Sequence, residues 1–150
     1  MATIETSIRI DRPVDDVYPF VVDVENCPRW RTSCLGAKRL TQGPLGAGTR
    51  ETYRMKALGR AFEVTVEVTG FERNLRYSWK AVSGSPFPMQ GSFSFEAVDG
   101  DTRVTETADV TTDGLLRLMR PLVVRMWRRQ VTADFTNLKR ALEANTAGTS

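Results

Sequence analysis

The feature of this sequence that most limits its fold is a change of hydrophobic period near Asp113 and Gly114. Before this point, apolar and polar residues alternate along one segment after another, which is the period of a half-buried β-strand. After it, apolar residues recur every three or four positions as far as residue 142, as on one face of a long helix. The sequence therefore predicts an antiparallel sheet that buries its apolar face against a long C-terminal helix.

Seven segments have the composition and alternation of strands, and turn-forming residues separate them. After the first segment, Pro13 followed by Asp15 and Asp16 is typical of the first turn of a helix. Short helices are expected there, ending around Pro28. The predicted strands span residues 3–10, 35–42, 49–56, 61–70, 75–82, 87–96 and 102–111.

Length and composition indicate one domain. The chain has 150 residues, of which 41% are apolar and 26% charged, as in ordinary globular proteins. We expect the domain to span residues 1–144 and residues 145–150 to form a flexible tail. Because a proline inside a helix removes a hydrogen bond, the main helix should begin close to Pro121.

The absence of histidine excludes a large group of catalytic and metal sites. This sequence cannot build a Ser-His-Asp or Cys-His nucleophile, or a histidine-ligated zinc, iron or haem. Cys27 and Cys34 alone cannot close a zinc site and are expected to be free thiols in a reducing compartment. We therefore expect no metal and no cofactor.

Charge and hydropathy set expectations for location and partners. The net charge of +3 is too small to favour nucleic acid as a partner. No apolar run approaches the ~20 residues needed to cross a bilayer, and the opening residues lack the basic and apolar regions of a secretory signal. A cytoplasmic protein that binds no nucleic acid and does not span a membrane is expected.

Five segments carry a family resemblance. They are IRIDRPVDDVYPFVVDVENCPRW at 8–30, GPLGAGTRETYRM at 43–55, FEVTVEVTGFERNLRYSW at 62–79, DTRVTETADV at 101–110 and the helical segment at 115–144. Together they resemble the START-like helix-grip (SRPBCC) superfamily, and within it the polyketide cyclase/dehydrase-like group. The resemblance implies an α+β fold in which a seven-stranded curved antiparallel sheet wraps around the C-terminal helix. It also implies a cavity between sheet and helix for a small hydrophobic molecule, such as a lipid or a polyketide.

Two carboxylates fall on apolar faces of the predicted strands. Glu51 shares its face with Tyr53 and Met55, and Glu106 shares its face with Val104. A carboxyl group in a dry cavity can act as a general acid or base without histidine. Because burial without a cationic partner favours the neutral form, we expect Glu106 to offer a proton to a bound carbonyl group. The alternative is a bulge or one-residue shift that turns either side chain to solvent.

Arginine is a further candidate for the chemistry. Cyclases in the family that this sequence resembles use an arginine together with hydroxyl groups, and Arg54 beside Tyr53 is the local analogue. Strand alternation favours a solvated Arg54 instead. The catalytic candidates are therefore Glu51, Glu106, Tyr53 and Arg54.

Aromatic residues and methionines supply a candidate ligand wall, with plain hydrophobic core as the alternative for each. A buried tyrosine hydroxyl must find a partner and can donate to a ligand carbonyl. The candidate ligand-binding residues are Tyr53, Met55, Tyr77, Trp79, Met89, Phe93, Phe95, Glu106, Met119, Leu122 and Met126.

Three functions remain open at this point. The first is binding of a small hydrophobic molecule, since no complete catalytic constellation is visible. The second is a polyketide cyclase, aromatase or dehydratase, and the third is a protein-interaction module. Arg117, Arg120 and Arg128 form a basic stripe on the last helix, which is either simply solvated or makes transient contact with an anionic membrane.

Overall fold

The computed structural model describes residues 2–57, 59–85, 88–110 and 114–148. Seven antiparallel strands form one sheet, and a long C-terminal helix packs against it. The strands are β1 (Ala2–Ile10), β2 (Cys34–Arg39), β3 (Arg50–Ala57), β4 (Arg60–Glu72), β5 (Arg76–Ser83), β6 (Met89–Val98) and β7 (Asp101–Val110). The helices are α1 (Val14–Val22), a 3₁₀ helix (Val24–Asn26), α2 (Cys27–Trp30), α3 (Leu115–Leu118) and α4 (Arg120–Gly148).

The strands lie in the order β1-β7-β6-β5-β4-β3-β2. Strands β2 to β7 follow one another as neighbours, and β1 pairs with β7 at the opposite edge. The turn between β6 and β7 needs two residues at positive φ, and Asp99 (φ 51°) and Gly100 (φ 87°) supply them. Such a two-residue turn matches the twist of the strands that it joins. The predicted α+β helix-grip fold with seven strands is confirmed.

The core lies between the sheet and the second half of α4. The α4 residues Val131, Phe135, Leu138 and Leu142 are all buried there. They recur at three- and four-residue spacing, so one stripe of the helix covers the sheet. Helix α1 packs against the same core, and its Val17 is completely buried.

One strand residue is small because an aromatic ring lies against it. A Cβ atom on Gly91 of β6 would lie 2.8 Å from the carbonyl oxygen of Thr107 and 2.8 Å from Cζ2 of Trp79. Trp79 is the cross-strand partner of Gly91 and packs against the core. Glycine therefore makes room for the indole ring on this part of the sheet.

Some element ends differ from the sequence prediction. The backbone of α4 remains helical to Gly148, beyond residue 145 where a flexible tail was expected. Residues 87 and 111, which the prediction assigned to strand ends, lie outside the described ranges, as do residues 149 and 150. The main helix begins at Arg120, next to Pro121, as expected.

Candidate functional site

Two strands carry a buried carboxylate on the face that meets the helices. Glu51 on β3 is completely buried, and Glu106 on β7 is 2% exposed. The alternation of both strands predicted this placement, and neither strand has a bulge that turns the side chain outward. Arg54, by contrast, is exposed on the opposite face of β3 and does not join Glu51 and Tyr53.

Glu51 is held by two tyrosine hydroxyl groups. Tyr77 on β5 donates to Oε1 of Glu51 at 2.5 Å, and Tyr53 donates to the same oxygen at 3.2 Å. The other carboxylate oxygen, Oε2, lies 4.0 Å from Nε of Arg39 on β2. Strands β2, β3 and β5 thus bring four polar side chains together inside an otherwise apolar face. We call this set the tyrosine–glutamate cluster.

The electrostatics of this cluster favour protonated groups. Burial raises the pKa of Glu51 above its ordinary value, although the hydrogen bonds from Tyr77 and Tyr53 and the charge of Arg39 oppose the shift. Burial also raises the pKa of Tyr53 and of Tyr77, and the charge of Glu51 adds to both shifts. Both phenols therefore keep their protons at neutral pH and act as donors.

Glu106 has a cationic partner, which corrects the expectation that it stands alone. Nη2 of Arg31, the residue that follows α2, donates to Oε1 of Glu106 at 2.9 Å. Nη1 of Arg31 lies 3.9 Å from Oδ2 of Asp134 on α4. The expectation rested on a Glu106 without a cationic partner, and this contact with Arg31 removes its basis.

Asp134 is anchored on its other side by the loop before β2. Its Oδ1 accepts from the backbone N–H of Thr32 at 3.0 Å and from Nε2 of Gln130 at 3.0 Å. Burial lowers the pKa of Arg31, but the charges of Glu106 and Asp134 outweigh this and raise it overall. Arg31, Glu106 and Asp134 thus form a buried ion triad that ties the loop to both the sheet and α4.

The predicted aromatic wall divides into core residues and partly accessible ones. Phe93, Phe95 and Tyr77 are buried in the core cluster. Three further predicted wall residues, Met55, Trp79 and Met89, are only half-buried. The Arg31 guanidinium lies 4.6 Å from the ring centre of Trp30 and 5.5 Å from that of Phe93, within the range of cation–π contacts.

Three α4-region residues that were predicted to line the cavity are substantially exposed. Met119 is 42%, Leu122 50% and Met126 54% exposed. Leu122 precedes the buried Val131 by nine residues, which is two and a half helical turns, so the two side chains lie on opposite sides of α4. The first half of α4 presents Val123, Val124 and Trp127 on its less exposed side instead. These three residues are half-buried.

An open cleft lies next to the tyrosine–glutamate cluster. It has a volume of about 560 Å³ and is bounded by α1, the 3₁₀ helix, β2 and the turn between β4 and β5. Tyr18, Phe71 and Arg73 line it, together with Arg39. Because Arg39 also faces Glu51, this side chain stands between the cleft and the buried cluster.

The chain matches a known family over almost its whole length. The model of the family described as polyketide cyclase / dehydrase and lipid transport matches residues 1–143. The chain belongs to this family. No curated protein matches it significantly in sequence. Family membership confirms the resemblance carried by the five sequence segments.

Several solved structures share this fold. A Thermus thermophilus protein, TTHA0849, is 20% identical, with a TM-score of 0.81 over 99% of this chain and 100% of that one. The Zhui aromatase/cyclase from Streptomyces sp. R1128 is 16% identical, with a TM-score of 0.80 over 97% and 95%. A START superfamily protein from Mycobacterium smegmatis is 16% identical, with a TM-score of 0.71 over 99% of each chain. At these identities the likeness establishes the fold alone.

Two residues of the ion triad, Asp134 and Arg31, were not identified from the sequence. Asp134 had a usable signal, because it lies on the same helical side as Val131 and Leu138 and is therefore a carboxylate on a buried stripe. Arg31 had no such signal, since it lies in a loop where no period assigns a direction to the side chain. Within the described ranges, no three acidic or cysteine side chains cluster closely enough to hold a metal ion.

Proposed function

We propose that this chain binds one small, largely hydrophobic molecule between the sheet and α4. The observation that carries the proposal concerns Tyr53 and Arg31. Tyr53 reaches the buried Glu51 and Arg31 reaches the buried Glu106, so both side chains point into the fold. Even so, Tyr53 is only half-buried and the Arg31 side chain is 18% exposed. Side chains that point into the fold and remain accessible are expected on the wall of a cavity.

The polar groups on this wall would orient a ligand, and apolar contacts would supply most of its affinity. Of the two hydrogen bonds to Glu51, that from Tyr53 is the longer at 3.2 Å, so its hydroxyl group is the more easily redirected toward a ligand acceptor. Arg31 engages Glu106 with one nitrogen and has further N–H groups. Apolar contacts with residues such as Met55 would supply most of the affinity. The free thiols of Cys27 and Cys34 favour the cytoplasm as the proposed compartment.

Dye binding tests this proposal directly. Nile red, an uncharged apolar dye, should bind the protein with a rise in fluorescence. Met55→Trp should weaken this binding about tenfold or more, because the larger side chain takes up cavity volume. Arg54→Trp introduces the same side chain one residue away on the exposed face and is the matched control. Equal binding by the two variants would remove the support for an internal site.

Mass spectrometry under native conditions can identify the natural ligand. Protein purified from its own host should carry a bound molecule that Met55→Trp protein lacks. A ligand retained equally by both forms would place the binding site elsewhere.

A second candidate is a cyclase, aromatase or dehydratase activity on a polyketide. The tyrosine–glutamate cluster favours it, because a buried carboxyl group with a raised pKa can both accept and return a proton. As the carboxylate, Glu51 would take a proton from a carbon between two carbonyl groups, and that carbon would form a bond to a third carbonyl carbon of the same chain. The carboxylic acid would return that proton to the alkoxide oxygen and give a hydroxyl group. The regenerated carboxylate would then remove the second proton of the same carbon and pass it to this hydroxyl group, which leaves as water as a C=C bond forms.

Turnover of a poly-β-ketone thioester tests the enzymatic candidate. Glu51→Gln keeps the acceptor for both tyrosines but cannot carry the proton, so the rate should fall by about 10²- to 10⁴-fold. Glu63→Gln, which changes an exposed carboxylate on β4, is the control. If the wild-type protein binds Nile red but converts no thioester, the binding function stands and the enzymatic one does not.

A further inference from the structure

The outward side of α3 and the first half of α4 carries an unusual concentration of exposed apolar residues. Leu118 is 81% exposed, and Met119, Leu122 and Met126 are 42%, 50% and 54% exposed. Within the described residues, these are four of the eight large hydrophobic side chains that are exposed. Leu118, Leu122 and Met126 recur every four residues and therefore form one continuous stripe. We call it the outer stripe.

The outer stripe does not belong to the core or to the proposed ligand cavity. Met126 precedes the buried Phe135 by nine residues, so these two side chains lie on opposite sides of α4. The side of α4 that packs against β1 and α2 is therefore turned away from the stripe. This helical region is therefore apolar on both sides, and the side that carries the outer stripe remains exposed.

The charges around the outer stripe are all of one sign. Residues 114–133 contain five arginines and no acidic residue. Arg125 and Arg129 follow Leu122 and Met126 by three positions, and so flank the stripe. Both are exposed, as are Arg117 and Arg128, and among the described residues none of these four forms an ion pair. Because the whole chain has a net charge of only +3, the rest of it is net acidic.

We propose that this surface docks on an anionic lipid bilayer. The outer stripe would enter the boundary between headgroups and acyl chains, and the flanking arginines would contact lipid phosphates with their stems along the apolar surface. The stripe runs along the outward side of α3 and the first half of α4, and none of its residues lines the open cleft. A bilayer needs no complementary groove on the protein that it binds, so it suits this surface better than a folded acidic protein does. No helix among the described residues is both long and apolar enough to cross a membrane, so the contact is peripheral.

Vesicle flotation of the full chain tests the proposal. We expect binding to vesicles of phosphatidylcholine mixed with phosphatidylglycerol, and much weaker binding to phosphatidylcholine alone. Binding should fall strongly in about 1 M salt, where the Debye length is only about 3 Å. Equal binding to both vesicle types, or binding to neither, would overturn the proposal.

Variants assign the binding to the outer stripe. Leu118→Ser combined with Leu122→Ser should weaken vesicle binding about tenfold or more, because two leucine side chains no longer enter the lipid. The matched control combines Leu40→Ser with Leu75→Ser, since these leucines are 49% and 58% exposed on other parts of the surface. Both double variants should keep the thermal midpoint of the wild type, since all four positions are exposed.

Arginine variants test the electrostatic part in the same way. Arg125→Gln combined with Arg129→Gln should weaken binding to the anionic vesicles only, whereas Arg54→Gln combined with Arg60→Gln should leave it unchanged. An equal loss in the two pairs would mean that overall charge acts rather than this surface. If the serine variant abolished self-association of a chain that bound no vesicle, the stripe would cover a second copy instead, and the lipid assignment would be wrong.

Discussion

The hydroxyl group of Tyr77 donates a 2.5 Å hydrogen bond to Glu51, a carboxyl group with no exposed surface, two strands away across the sheet. Burial disfavours the ionised form of Glu51, whereas the hydrogen bonds from both tyrosines and the charge of Arg39 favour it. Because burial is the stronger effect, the pKa of Glu51 is raised. The same arrangement that makes Glu51 a candidate proton carrier therefore also makes the stability of the fold depend on pH.

The first prediction concerns that pH dependence. Because the pKa of Glu51 is higher in the folded chain than its ordinary value of 4.5, the stability contributed by its proton is complete below about pH 4.5 and is lost as pH rises through the folded value. Glu51→Gln carries no titrating proton. The free energy of unfolding of Glu51→Gln should therefore increase relative to that of the wild type as pH rises from acid to neutral. Urea unfolding at a series of pH values measures the difference.

The control for this experiment is Glu5→Gln, which replaces an exposed carboxylate on β1. We expect the gain to be specific to Glu51→Gln. If the two variants differ from the wild type by the same amount at every pH, burial of Glu51 is not the cause.

The second prediction uses the two sides of α4. Leu138→Ala should destabilise the protein by about 2–5 kcal/mol, because it leaves a cavity in the core where Leu138 is completely buried. Leu122→Ala makes the same chemical change on the outer stripe and should have an effect within about 0.5 kcal/mol. Urea unfolding of the pair checks this. Comparable losses in both would show that Leu122 is packed in solution.

This contrast shows what the sequence pattern of α4 leaves undecided. Met119, Leu122 and Met126 have helical spacing, and so do Val131, Phe135 and Leu138, but the two sets lie on opposite sides of the helix. Periodicity identifies an apolar stripe and does not say which stripe the sheet will cover. That choice depends on how α4 crosses β1, which is a tertiary contact.

The strands could be predicted much more completely. Alternation has only two outcomes per residue, so the neighbours of Glu51 and Glu106 determined the direction of both carboxylates. The pairing of Glu106 with Arg31 could not be found in this way, because it joins a loop to a strand 75 residues later in the chain. Contacts of that kind depend on the whole fold.

The third prediction concerns the glycine beneath Trp79. Gly91→Ala should destabilise the protein by about 1–3 kcal/mol, since its Cβ would lie 2.8 Å from the backbone oxygen of Thr107 and the ring would have to move. Gly46→Ala is the matched control, because nothing lies within 4 Å of a Cβ at that position and its φ is not positive. Thermal unfolding and near-UV circular dichroism should both report the change. An unchanged indole signal in Gly91→Ala would contradict the close packing.

The fourth prediction concerns the ion triad. Arg31→Met leaves Glu106 and Asp134 buried without their cation, and should destabilise the protein by about 3–5 kcal/mol. Adding Glu106→Gln to Arg31→Met should restore part of this loss, because one uncompensated charge is removed. The same Glu106→Gln change in the wild type should be destabilising, since it weakens the 2.9 Å bond to Arg31. Opposite signs of one substitution in two backgrounds are the mark of a coupled pair.

An exposed ion pair provides the control for the triad. Arg9 on β1 approaches Asp101 on β7 at 2.8 Å, almost the same distance, but the two side chains are 48% and 23% exposed. Arg9→Met should therefore change the free energy of unfolding by less than about 1 kcal/mol, because water solvates the carboxylate that remains. Urea unfolding of all four variants measures the coupling of Arg31 with Glu106 and, separately, the cost of Arg9→Met. A loss in Arg31→Met no larger than that in Arg9→Met would mean that water reaches the carboxylates of Glu106 and Asp134, and that the triad is not a buried one.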